Sequence, residues 1–306
     1  MENNRPLVSV IMNCYNSDTY LKEAIESVIA QTYQNWEIIF WDNQSTDKSA
    51  QVVKSYDDER IKYFYAPTHT TLGEGRNKAL EKVNGEFISF LDCDDFYFPQ
   101  KLEKTVEAFD DQNIGLVYTN GYTLYEDKNI KNPFYNKKQL SGELFEAWLS
   151  SYQVMIPSVM FKKKVLDSLD YWFDNRFNMI EEFDFFIRIA KKWNINYCHE
   201  HLCIWRAHSA SMTWSKKELF EKENRLFLSD LLKLYPQLQG KNYIEKFQAK
   251  IAYQEFYNNW VKTTKAKREI LIPFLKREKK LILIYLLSFF GLNNFNKFLK
   301  MIGKNV

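Results

Sequence analysis

Residues 87–95 read Phe-Ile-Ser-Phe-Leu-Asp-Cys-Asp-Asp, a short strand-like run that ends in three carboxylates, Asp92, Asp94 and Asp95. A run of this length is the pattern of a buried parallel strand meeting its loop. Carboxylates this close repel one another unless a cation or donor groups share their charge. A hard divalent ion bridging them to a diphosphate would supply that compensation, because Mg2+ typically takes one or two protein carboxylates plus phosphate oxygens. The plainer alternative is a solvated acidic turn ahead of the next helix, whose first turn is read at Pro99.

Upstream, strands alternate with helices. Leu7–Met12, Glu37–Trp41 and Ile61–Tyr65 read as strands. Leu21, Ala24, Ile25 and Val28 recur at helical spacing behind Ser17, Ser45-Thr46-Asp47 opens a second helix, and Gly75–Lys82 is a third. Such alternation predicts an α/β fold with a mostly parallel, Rossmann-like sheet, flanking helices and right-handed crossovers. Ligands then bind outside the carboxyl ends of the strands, at Asn13–Asn16, Asp42–Ser45 and Asp92–Asp95. Downstream, Leu116–Tyr118, Val154–Phe161 and Asn196–Trp205 read as strands, and Gly142–Leu149 and Glu181–Trp193 as helices. After Ser215 the pattern is helical. The expected division is an α/β domain over 1–215 and a helical region over 216–306.

An acid at the end of the second strand, Asp42, can accept hydrogen bonds from a ribose. A dinucleotide site would also need a glycine-rich turn after the first strand. The chain has Asn13-Cys14-Tyr15-Asn16 there, its Gly73-x-Gly75 lacks a third glycine, and no GxxxxGK occurs. Hydride transfer and P-loop chemistry are excluded.

Taken in order, VSVIMNCYN, WDNQSTD, GEGRNKAL, GEFISFLDCDD and IEEFDFFIRIA resemble glycosyltransferase family 2 over about residues 6–215. The resemblance implies the GT-A fold, a nucleotide-diphosphate sugar as donor, Mn2+ or Mg2+, and inversion at the anomeric centre. It implies that Asp94 binds the metal and that Asp92 lies near the ribose and diphosphate. Tyr15 would stack near the base, Asp42 would sit in the nucleoside pocket and Arg76 would face the diphosphate. Glu181-Glu182 stands where the family usually has Glu-Asp, which makes Glu182 the base that deprotonates the acceptor hydroxyl. Asn43 replaces a frequent second aspartate and Asn13 a frequent threonine. Trp205-Arg206-Ala207-His208, followed by Ser211, resembles the segment that folds over the diphosphate, so Arg206 is expected at the donor and His208 at the metal. The alternative for His208 is a surface loop.

Tyr197–Cys203 (YCHEHLC) is dense enough in histidine and cysteine to suggest zinc. Strand alternation would put His199, His201 and Cys203 on one face and Cys198 on the other, which favours a half-buried strand.

The formal charge of +3 conceals an asymmetry. Residues 261–306 carry eleven Lys or Arg and two Glu, a local +9, which leaves −6 on the rest. Lys276, Arg277, Lys279 and Lys280 precede the apolar run Leu281–Leu292. Phe295, Phe298, Leu299 and Ile302 follow it, with Lys297, Lys300 and Lys304 interleaved. This suits an interfacial helix on anionic lipid through 270–306 and is too apolar for nucleic acid. The alternatives are packing on the chain's own body or on a second subunit. The apolar run is too short to span a bilayer.

Hydrophobic content of 45% supports a large core. Four cysteines point to a reducing compartment, and MENNRPLVSV does not read as a secretory signal. The expected protein is a metal-dependent inverting glycosyltransferase at the cytoplasmic face of the plasma membrane, acting on a glycan or lipid-linked acceptor in surface polysaccharide synthesis. The alternatives are a soluble transferase acting on a protein or small molecule, and a non-catalytic nucleotide- or glycan-binding module on the same fold.

Overall fold

The computed structural model describes residues 5–208 and 218–301, the side chain of Lys300 excepted. Ser211, Ile302 and Lys304 lie outside the described residues. The chain divides into two compact units, one within Met1–Phe145 and Gln153–Ser215 and the other within Glu146–Tyr152 and Lys216–Val306.

In the first unit the elements run β1 (Val8–Cys14), α1 (Asp18–Ile29), β2 (Trp36–Asp42), α2 (Ser49–Lys54), β3 (Ile61–Tyr65), α3 (Leu72–Leu80), β4 (Phe87–Phe90), β5 (Phe96–Tyr97), α4 (Lys101–Glu107), β6 (Ile114–Tyr125) and β7 (Ile130–Pro133). After α5 (Phe145–Ser150), most of which belongs to the second unit, come β8 (Met160–Lys162), α6 (Glu181–Lys192) and β9 (Asn194–Ala207). One sheet has the order β3-β2-β1-β4-β8-β6-β9-β5, with β7 paired to β6. Its β3-β2-β1-β4 half is parallel throughout. Antiparallel pairings enter where β8 joins β4 and β6, while β6 and β9 run parallel.

Side-chain alternation explains how this half is layered. Val8, Val10 and Met12 of β1 and Ile38 and Phe40 of β2 pack with Leu21, Ala24, Ile25 and Val28 of α1. Each of these buried side chains larger than alanine contributes about 1.5–3 kcal/mol. Strand order reverses at β1, because β2 and β3 extend to one side and β4 to the other. The carboxyl ends of β1 and β4 therefore flank a topological switch point, the usual place for a ligand in an open α/β sheet.

Two expected elements change. Val154–Phe161 is not one strand: Ile156–Ser158 forms a tight helical turn around Pro157, and the strand is only Met160–Lys162. Proline has no N–H for a ladder, which is why the pairing starts beyond it. In β9 the pairing with β6 jumps from Thr119 opposite Cys198 to Asn120 opposite His201, so His199 and Glu200 form a bulge. The bulge breaks the alternation expected for the histidines: His199 is exposed and Cys203 fully buried. Among the described residues no three His, Cys, Asp or Glu gather as a metal site.

The second unit contains α7 (Leu219–Leu234), α8 (Asn242–Thr263), α9 (Lys279–Leu287) and α10 (Leu292–Met301). Phe256 and Trp260 of α8, Leu271, Leu281 of α9, and Phe295 and Leu299 of α10 make one core. The tail expected to lie on lipid is therefore partly internal, since Phe295 and Leu299 are buried against their own unit. No helix among the described residues is long and apolar enough to cross a membrane.

Candidate active site

The loops after β1, β2 and β4 and the start of α3 converge at the switch point. The turn after β4 is anchored to β1 by the Cys93 thiol, which donates to the carbonyl of Asn13 at 3.3 Å. The three acids of this turn have different surroundings. Asp95 is buried and accepts from the Arg206 N–H at 2.8 Å; burial, then the charges of Asp94 and Asp92, push it well above the usual carboxylate range. It is an internal brace. Burial also raises Asp92, with Arg76 pulling the other way. Asp94 keeps a partly open carboxylate, and His208 Nε2 lies 2.9 Å from its Oδ2.

Arg206, expected at the donor, is taken up by partners within the protein. Its Nε donates to the carbonyl of Asp94 at 2.8 Å, and its two terminal nitrogens pair with Glu126, at 2.5 Å, and Glu23. Its plane also lies 4.1 Å from the centroid of the Tyr20 ring. Buried and engaged on every nitrogen, Arg206 holds the carboxylate loop in place.

Arg76 reaches the site from the second turn of α3. That helix starts at Thr71, whose hydroxyl accepts from the N–H of Glu74 at 3.3 Å. The Arg76 guanidinium is buried, 2.8 Å from Glu181 and 3.4 Å from Asp92. The neighbouring Asn77 donates to the carbonyl of Phe173 at 2.9 Å and accepts from its N–H at the same distance. Gly75 allows the close approach: a Cβ there would lie 3.1 Å from Asn13 Nδ2 and 3.6 Å from the Trp41 ring.

Glu182, in the first turn of α6, is half-buried and feels the charges of Glu181, Arg76 and Asp92. Burial first, then the charge of Glu181, pushes its pKa up to about 8. A carboxylate poised there can accept a proton near neutral pH.

On the nucleoside side Tyr15 is 51% exposed, and its ring centroid lies 4.3 Å from that of His69. His69 escaped the sequence reading; its Nδ1 bonds the carbonyl of Asn43 at 2.8 Å. Asp42 is fully buried, with one oxygen accepting from the Ser45 N–H at 2.7 Å and the other from the Tyr63 hydroxyl at 2.6 Å. The Asn43 amide is clipped to Thr70: its oxygen accepts from the Thr70 N–H and hydroxyl, and its nitrogen donates to the Thr70 carbonyl at 2.8 Å. Asn43 thus positions the His69-Thr70 segment instead of offering a whole amide edge to a base. Both amide atoms of Asn13 and the Trp41 indole nitrogen are buried without a partner among the described residues. Three hydrogen-bonding atoms so placed at a switch point are suited to a polar ligand.

Residues 9–170 match the profile of glycosyl transferase family 2. An uncharacterized glycosyltransferase of Rickettsia typhi is 31% identical over 271 residues, which cover 84% of this chain and 82% of that protein. The Escherichia coli UDP-Glc:alpha-D-GlcNAc-diphosphoundecaprenol beta-1,3-glucosyltransferase WfgD is 29% identical over 62% of this chain and 72% of its own. Among solved structures, Staphylococcus aureus TarS 1–349 in complex with UDP-GlcNAc superposes with a TM-score of 0.65 at 19% identity, covering 88% of this chain and 79% of that one. The mannosyltransferase PcManGT of Pyrobaculum calidifontis, in complex with GDP-Man and Mn2+, gives 0.61 at 16% identity, over 82% and 72%. The fold is GT-A, and the chain belongs to glycosyltransferase family 2.

Proposed function

We propose that this glycosyltransferase moves a sugar, with inversion, from a nucleotide-diphosphate sugar to a hydroxyl of a glycan acceptor in cell-surface polysaccharide or lipid-linked oligosaccharide synthesis. The observation that carries this is the position of Glu182, half-buried in the first turn of α6 and within electrostatic reach of Arg76 and Asp92. Glu182 takes the acceptor hydroxyl proton while the acceptor oxygen bonds to the anomeric carbon. The bond from that carbon to the diphosphate breaks, and the nucleoside diphosphate leaves. Residues 1–215 carry this chemistry, with 216–306 as a helical appendage.

A carboxylate oxygen on Asp94 and an imidazole nitrogen on His208, 2.9 Å apart, form a donor set that fits Mn2+ or Mg2+ when a diphosphate supplies further oxygens. When bound, such an ion stabilises charge on the leaving diphosphate. Tyr15 and His69 flank the base, Asp42 and Asn43 shape the nucleoside pocket, and Asn13 and Trp41 donate to the donor substrate. Arg76 orients Asp92 toward the ribose and diphosphate. The diphosphoundecaprenol acceptor named for the E. coli relative supports a lipid-linked acceptor.

The test is turnover of nucleotide-diphosphate sugars with Mn2+ across an acceptor panel. Nucleoside diphosphate release that disappears in Asp94→Ala and Glu182→Gln is the expected result. Nucleotide binding without metal-dependent turnover would replace this reading by a non-catalytic binding module. Thermal shifts with UDP, GDP, dTDP and CMP identify the base.

A further inference from the structure

Helix α9 and the tight helical turn Ser288–Phe290 that continues it are apolar on both sides. Leu281, Ile284, Tyr285 and Ser288 face the core shared with Trp260, Leu271 and Phe295, or pack beside it. The opposite side consists of Ile282, Leu283, Leu286, Phe289 and Phe290, at steps of three and four residues and between 42% and 68% exposed. A helix whose second face is also apolar requires a second cover. Lys279 stands three and four residues before Ile282 and Leu283, on the same stripe, with Lys276 and Lys280 exposed beside it. Among the described residues none of these lysines makes an ion pair. At the other end Arg268 bonds the hydroxyl and carbonyl of Ser288, at 2.7 and 2.8 Å, and lies 3.9 Å over the Phe289 ring. The apolar stripe thus has cations at both ends.

We infer that the Ile282–Phe290 face inserts into the interface of an anionic lipid bilayer, with Lys276, Lys279, Lys280 and Arg268 at headgroup level. The inference rests on the proposed lipid-held acceptor for its biological setting, and on the helix surface for everything else. Exposed apolar side chains enter the acyl boundary while adjacent cations meet anionic headgroups. A second copy suits the face less well, because a parallel two-fold contact would set these lysines against one another and an antiparallel one would set them against Arg268 of the other copy, while Glu278 beside Lys279 offsets a single charge. The insertion surface is narrower than the 270–306 segment the sequence suggests: Phe295 and Leu299 are internal, and the Ile282–Phe290 face supplies the contact.

The test is co-sedimentation of the full chain with vesicles of equimolar phosphatidylglycerol and phosphatidylcholine, against phosphatidylcholine alone, beside size-exclusion chromatography with light scattering. Binding to the anionic vesicles is expected. Partitioning should fall about tenfold or more in Ile282→Ser/Leu286→Ser/Phe290→Ser, and on the order of a hundredfold in Lys276→Gln/Lys279→Gln/Lys280→Gln. All six positions are exposed, and unchanged circular dichroism confirms folding. Absence of vesicle binding, equal binding to both vesicles, or binding indifferent to both variants overturns the inference. So does a dimer that the serine variant dissociates, which would assign the face to a second copy. Nucleoside diphosphate release with a soluble acceptor reads the catalytic proposal separately, and the variants should leave it unchanged.

Discussion

Glu181 holds Arg76 in a buried ion pair at 2.8 Å, and Arg76 in turn reaches Asp92 at 3.4 Å. The chain of charges runs from the first turn of α6, through α3, to the loop after β4. Glu181→Gln should destabilise the protein by about 3 kcal/mol, because a buried guanidinium loses its nearer charged partner and keeps only the longer contact to Asp92. Glu182 would lose a neighbouring negative charge, so the midpoint of its titration should fall by about one pH unit. Denaturant unfolding and the pH dependence of kcat/KM measure the two effects. A fall in stability with an unmoved midpoint would limit Glu181 to a structural role.

In the wild type, kcat/KM should rise with pH and level off above about 8, because the base works only when ionised and burial raises it to that value. Glu182→Gln should lower kcat by about a hundredfold to ten-thousandfold while leaving nucleotide binding intact. Initial rates from pH 6 to 9.5, with nucleotide affinity by calorimetry, check both.

The 2.9 Å contact between Asp94 and His208 sets a prediction for metal use. Asp94→Asn and His208→Ala should each raise the Mn2+ concentration for half-maximal rate by at least about tenfold. Nucleotide affinity without metal should stay the same. A Mn2+ titration of rate beside a metal-free thermal shift reads the two apart.

Lys101 gives a stability prediction away from the site. It is fully buried, donating to the Ser89 hydroxyl at 2.6 Å and the Val159 carbonyl at 3.3 Å, and burial lowers its pKa to about 7 from 10.5. Between those values the unfolded chain binds one more proton than the folded one. Stability therefore rises with pH across that window, by up to about 1.4 kcal/mol per unit. The difference in unfolding free energy between wild type and Lys101→Met, followed from pH 7 to 10, should show that slope.

The parallel half of the sheet was legible because period and loop chemistry agree: four short apolar runs lead to the loops that meet at the switch point. The core of the tail was not legible, because Phe295 and Leu299 share their helical spacing with an interfacial pattern and only the partners Trp260 and Leu271 distinguish the two. The partners of Arg206 were not legible for a related reason. A basic residue in a donor-loop segment reads as a phosphate ligand, and its real partners Glu23 and Glu126 are far away in sequence. The Glu181 contact with Arg76 also joins segments distant along the chain. His69 lies in no periodic pattern, and only the fold carries it to Tyr15. The bulge at His199 likewise depends on pairing with β6, which alternation within one strand cannot register.

Asn13 has one further consequence. The Asn13 amide, buried at the end of β1 with neither atom paired among the described residues, would gain its partners from the donor substrate proposed above. On that proposal, heat resistance should report substrate occupancy. A residue without the amide, such as valine at this position, would leave an empty enzyme harder to melt and a loaded one little changed.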